Sequence, residues 1–130
     1  MIQSSEDLQG YLTRLERQFE RLDDATYVLP AGRSRTLVAL MLAPPVLVIR
    51  AEIGTVPAAP EPSLALFRKL LELNQSSLLY AAYGLEQERI VLSAQLLLAS
   101  LDLSELEATL ADVDLALTEH VSMLQDIVKS

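Results

Sequence analysis

A chain of 130 residues is long enough to bury its own core without disulfides or a metal, and one domain spanning residues 1–130 is expected. Hydrophobic residues make up 51% of it and aromatics 5%, with no tryptophan or cysteine and a formal charge of −8. The acidic balance argues against direct binding to nucleic acid or to an anionic membrane, and the lack of cysteine gives an oxidising secretory route no support.

Residues 1–50 carry six basic and six acidic side chains, and residues 51–130 carry four and twelve, so the C-terminal part holds the whole excess. The opening MIQSSEDLQG has acids where a signal peptide has a basic and then an apolar region. The longest uncharged run, 36–49, has 14 residues and is broken by Pro44-Pro45, too short for a membrane span. A cytoplasmic location is expected.

In chain order, Leu8, Leu12, Leu15, Phe19 and Leu22 predict one face of a helix over 4–22, capped by Ser4 or Ser5 with Glu6 and Asp7 in its first turn. Residues 26–29 and 36–42 flank the turn Pro30-Ala31-Gly32-Arg33 and predict a hairpin; Pro44-Pro45 separates it from a third strand, 46–53. A proline-rich loop, 54–62, leads into a helix over 63–73, with Asn74 suited to its C-terminal cap. Residues 77–85 and 89–98 form a second predicted hairpin around 84–88.

The final helix is the best-marked element. Asp102 is its N-cap, with Glu105 three residues later, and Leu101 and Leu106 are spaced as a hydrophobic staple. Leu103, Leu106, Leu110, Val113, Leu117, Leu124 and Ile127 then continue at 3-4 spacing, interrupted by His120.

The fold class is therefore α+β in the order α-β-β-β-α-β-β-α, an antiparallel five-stranded sheet with helices packed on it. The runs 37–42 and 78–83 are apolar on both alternating faces, where a sheet with one wet face would alternate. Either a second subunit or partner covers the second face, or one of these runs is not a strand.

Little in the chain points to catalysis. Its single histidine, His120, lies on the leucine seam, and GxGxxG, phosphate-loop, HExxH and CxxC patterns are absent. The close carboxylate pairs, such as Asp112 and Asp114, point apart on a helix and suit a solvated surface. No catalytic, cofactor-binding or metal-ligating residue is assigned, and no cofactor or small-molecule substrate is expected. The seven acids of 102–126 offer an alternative role as a face for a basic partner. Arg14, Arg17, Arg21, Arg33 and Arg35, interleaved with acids, read as a salt-paired surface, with an acidic partner as the alternative.

The stretches LLELN (70–74), AAYGL (81–85), IVL (90–92) and LASLDLSEL (98–106) resemble the C-terminal half of type III secretion chaperones of the Tir chaperone family, and of their YbjN-like relatives. The order of elements resembles that fold over nearly the whole chain. The resemblance implies a non-enzymatic homodimer that binds a protein client, extended or partly unfolded, through apolar patches. It places the dimer interface at Leu66, Phe67, Leu70, Leu78 and Tyr80, and partner binding at Leu8, Leu12, Leu15, Val38 and Leu40. The YbjN side of the resemblance implies instead a regulatory or stress-response protein with a folded partner and no secretion role.

Overall fold

The computed structural model describes residues 2–129 and begins with helix α1, Ser5–Arg14. Ser4 caps it by accepting the Asp7 N–H. The apolar spacing continues to Leu22, but the helix does not. Glu16 takes a left-handed φ of 59°, and the N–H groups of Arg17 and Glu16 turn back onto the Leu12 and Thr13 carbonyls. This is the motif that commonly ends helices, with glutamate where glycine is usual.

Past this turn the chain crosses to the sheet. Phe19 meets the Tyr27 ring edge-on at 5.7 Å, and Glu20–Arg21 forms a two-residue strand, β1. The sheet therefore has six strands rather than five. β2 (Thr26–Ala31), β3 (Thr36–Ala43) and β4 (Val46–Thr55) follow, then helix α2 (Pro60–Ser76), β5 (Ala82–Glu86), β6 (Arg89–Leu97), a 3-10 turn at Leu98–Ser100, and helix α3 (Leu103–Lys129). The strand order is β1-β2-β3-β4-β6-β5, and every neighbouring pair is antiparallel.

Helix α2 starts earlier than expected because Pro60 can occupy the first turn, and it runs past Asn74 to a C-cap at Ser77. Residues 77–81, expected as strand, form a loop. The start of α3 is as expected: Asp102 accepts the Glu105 N–H at 2.8 Å and the Ser104 hydroxyl at 3.0 Å, while Leu101 and Leu106 are buried.

Alternation decides which side of the sheet is core. Tyr27, Leu29, Val38, Leu40, Leu47, Ile49 and Leu92 are buried on one face, together with Leu8 and Leu12 of α1, Leu66 of α2 and Leu106, Leu110, Val113 and Leu117 of α3. The opposite face mixes Leu37, Met41, Val48 and Leu97 with Arg50, Glu52, Glu86 and Arg89. Ion pairs Arg50–Glu86 (2.8 Å) and Arg89–Glu52 (3.0 Å) run across it. Much of 78–83 is not strand, so of the two runs expected to be apolar on both faces only 37–42 lies in the sheet.

Candidate protein-binding surface

Helix α2 carries two apolar stripes. Leu66, Leu70 and Leu73 face the chain's own core. Leu64, Phe67 and Leu71, spaced i, i+3, i+7, lie on the outer side, where Leu64 is 73% and Leu71 69% exposed and Phe67 is partly buried. Of the residues expected at a dimer interface, Leu66, Leu70 and Leu78 are thus buried within the chain, and Phe67 and Tyr80 reach the surface. Of those expected to meet a partner, Leu8, Leu12, Val38 and Leu40 are fully buried core residues and Leu15 is partly buried. Apolar positions open to a partner include Leu64, Leu71, Leu79, Tyr80 and Leu85 around α2 and β5 and Leu37 and Leu97 on the open sheet face, with Leu22, Leu115, Met123 and Val128 exposed elsewhere. The second α2 stripe was visible in the sequence as spacing, but spacing alone does not tell the core stripe from the exposed one.

A buried carboxylate and a part-buried amide hold this patch in place. The Asp112 carboxylate, itself buried on α3, accepts the N–H groups of Leu79, Tyr80 and Ala81 at 2.9 to 3.3 Å, so the loop displays Leu79, 85% exposed, and the half-exposed Tyr80. Asn74 projects from α2 onto β5, accepting the Tyr83 N–H at 2.7 Å and donating to the Tyr83 carbonyl at 3.1 Å. Its expected role as a helix cap is replaced by this clamp. Between helix and strand lies an apolar hollow of about 200 Å³ bordered by Phe67, Leu70, Leu71 and Leu85.

The middle of α3 holds the β2–β3 hairpin. Asp114 accepts the Gly32 N–H at 3.0 Å and pairs with Arg17, and Thr118 accepts the Arg33 N–H at 3.0 Å. Arg21 pairs with Glu6 and Asp24, in line with a salt-paired arginine surface. Among the described residues no group of three or more His, Asp or Glu is placed to hold a metal ion, and no helix is long and apolar enough to cross a membrane.

His120 is buried on α3, where Nδ1 shares a 2.8 Å hydrogen bond with the Tyr83 hydroxyl. Burial holds its pKa below the ordinary 6.5 and Lys69 adds to that, while Glu119 and Asp112 pull it partly back. Burial, with the charge of Asp112, pushes the Tyr83 phenol well above its usual range. As pH falls, the unfolded chain takes the histidine proton before the folded one does. The stability contributed by neutral His120 is therefore complete above the ordinary histidine pKa and is lost as pH falls through it toward the lower folded value. Urea midpoints measured between about pH 7.5 and 5.5 should fall with pH, and His120→Gln should flatten that slope. Equal slopes in the two proteins would show that His120 contributes no linkage.

No curated protein matches this sequence. Solved structures do. A chain in the heterodimeric ExoU–SpcU complex, from the type III secretion system of Pseudomonas aeruginosa, is 21% identical, with a TM-score of 0.65 over 91% of this chain and 94% of that one. YbjN from E. coli is 17% identical, with a TM-score of 0.64 over 99% and 92%. The structure of the Yersinia pestis type III secretion chaperone SycH, in complex with a stable fragment of YscM2, gives 17% identity and a TM-score of 0.57 over 96% and 97%. These likenesses show the fold. The sequence itself matches the CesT_Tir_1 family model from residue 1 to residue 130, and the chain belongs to that family.

Proposed function

We propose that this chain is a protein-binding chaperone, acting in the cytoplasm as a homodimer that holds an extended or partly unfolded client through apolar surface, with residues 1–130 as one binding unit. The observation that carries the reading is the exposed apolar patch of Leu64, Leu71, Leu79 and Leu85 on a frame fixed by Asp112 and Asn74. Exposed leucines grouped on ordered backbone are expected of a surface that meets another chain. Family membership and the likeness to structures of type III secretion complexes support it. Holding a client through such contacts makes and breaks no covalent bond, so the proposal includes no catalytic step.

Within this reading the second copy is assigned to the α2–β5 patch, and the client to the apolar positions exposed on the open sheet face, Leu37 and Leu97. Light scattering on the native protein should give twice the chain mass of 14.3 kDa. Leu71→Glu combined with Leu79→Glu should give a folded monomer, since both side chains stand in solvent in the single chain. A double variant that stays dimeric would remove this patch from the interface. The likeness to YbjN over 99% of this chain supports a second reading, a regulatory protein with a folded partner. Hydrogen exchange on the complex with a partner captured from the native lysate separates the two. A client held extended gains protection only where it is bound, whereas a folded partner is protected before binding.

A further inference from the structure

Two hollows of opposite character lie end to end along the last turns of α3. The first opens where β4 bulges. Glu52 opposes Val91 and Gly54 opposes Ile90, which leaves Ile53 as the extra residue. Ile90 is buried, and position 54 across from it has no side chain: a Cβ added to Gly54 would meet nothing within 4 Å. The space left is a cavity of about 340 Å³ walled by Ile53, Leu66, Ile90, Val121 and Leu124, with no charged side chain among the described residues that line it. Its size falls within the range of small-molecule sites.

The second hollow, of about 220 Å³, shares Val121 and Gln125 with the first and is polar at its rim, where Arg33, Thr118 and Ser122 meet. The Arg33 guanidinium has no ion pair among the described residues. Asp114, one turn before Thr118, is taken up by Arg17 and the Gly32 N–H. The Thr118 hydroxyl accepts the Arg33 N–H and keeps its own proton to donate. Val128 borders the first hollow and Thr118 the second, a separation along the helix of about 15 Å.

Each hollow narrows what fits. Aliphatic walls take hydrocarbon and leave a polar group unpaired. A guanidinium beside hydroxyl donors takes a carboxylate. Their alignment asks for both in one thin molecule. We propose that the paired hollows bind a free fatty carboxylate of about ten carbons, its tail beside Gly54 and its head between Arg33 and the hydroxyls of Thr118 and Ser122. With a chain charge of −8 working against anions in general, the tail supplies most of the affinity and Arg33 selects the head. This small-molecule site is separate from the α2–β5 patch and from the open sheet face, and it does not depend on the protein-binding reading.

The test titrates the isotope-labelled full chain with decanoate below its micelle concentration. Amide shifts should gather at Gly54, Ile90 and Leu124 around the tail and at Arg33, Thr118 and Ser122 around the head. Decanol, which keeps the tail without the charge, should bind about tenfold more weakly. Butanoate, which keeps the charge and little of the tail, should bind at least about a hundredfold more weakly. Arg33→Gln, at an exposed position, should bring decanoate down to the affinity of decanol and remove the salt dependence of binding. Gly54→Leu, whose own side chain fills the cavity, should weaken decanoate and decanol alike by at least about tenfold. Equal affinity of the native protein for decanoate and decanol would overturn the site, as would shifts that gather at Leu71 and Leu85 or no shift at any residue. Phosphatidylcholine vesicles should leave the spectrum unchanged; shifts at Gly54 and Leu124 with vesicles would overturn a free acid as the ligand in favour of a membrane lipid.

Discussion

Asp112→Ala is expected to lower the unfolding free energy by about 3 kcal/mol and to release the loop that carries Leu79 and Tyr80. One buried carboxylate satisfies three consecutive N–H groups, the last of them on the buried Ala81, and no other acceptor among the described residues contacts them. Removal strands Ala81 N–H away from water and lets the other two exchange their fixed acceptor for solvent. Asp112→Asn keeps one carbonyl oxygen and should lose roughly half as much. Urea unfolding measures the loss, and amide exchange at 79–81 locates it. An alanine variant within about 0.5 kcal/mol of the native protein would mean that the loop is held by its side chains instead.

Gly32→Ala is expected to cost about 2–4 kcal/mol, with two causes that act together. Gly32 has a left-handed φ of 73°, and a Cβ there would lie 2.6 Å from the Leu117 Cβ and 3.2 Å from the Leu117 backbone carbon. Relief would require the hairpin tip to lift from α3, which the Gly32–Asp114 and Arg33–Thr118 hydrogen bonds oppose. Gly10→Ala is the contrasting control. It lies inside α1 with nothing within 4 Å of the added carbon, so a gain of about 0.5–1 kcal/mol is expected from helix propensity. Thermal unfolding of both variants should show opposite signs, and a Gly32→Ala protein as stable as the native one would show that the hairpin tip is free to shift.

How far the fold could be read from sequence depends on where the determining contacts lie. The α3 start was legible because Asp102, Glu105, Leu101 and Leu106 act within one turn of each other. Both predicted hairpins were legible from their turn residues and the β-like runs on either side. The length of α1 was not, because Glu16 adopts a conformation that the apolar spacing of Phe19 and Leu22 gives no sign of. β1 escaped notice because two charged residues have no apolar pattern; they join the sheet through the backbone of Tyr27 and Val28. Residues 77–81 read as strand because they lead into an apolar run, and only a carboxylate 31 to 33 residues away decides otherwise. The binding surface follows the same rule. That α2 has apolar residues to spare is local information, but which of them face out depends on how the helix sits on α3 and β5.

The Asn74 clamp bears on how this chain survives with leucines in solvent. Backbone groups face a strand's outer edge at every second residue. At Tyr83 both are occupied by the Asn74 amide, and the N–H of Ala81, two residues earlier, is held by Asp112. The start of the β5 rim is therefore occupied before a neighbour arrives, and Leu85 is the outward-facing position of the strand that remains. A strand that approached there would find one open position, too little for a ladder, so contact at this rim is side chain on side chain and gives no template for growth into a ribbon. At the opposite rim, β1 offers two charged residues and little length. Both outer edges are thus poor seeds for fibres, and the sheet can keep apolar surface exposed without polymerising through its own backbone.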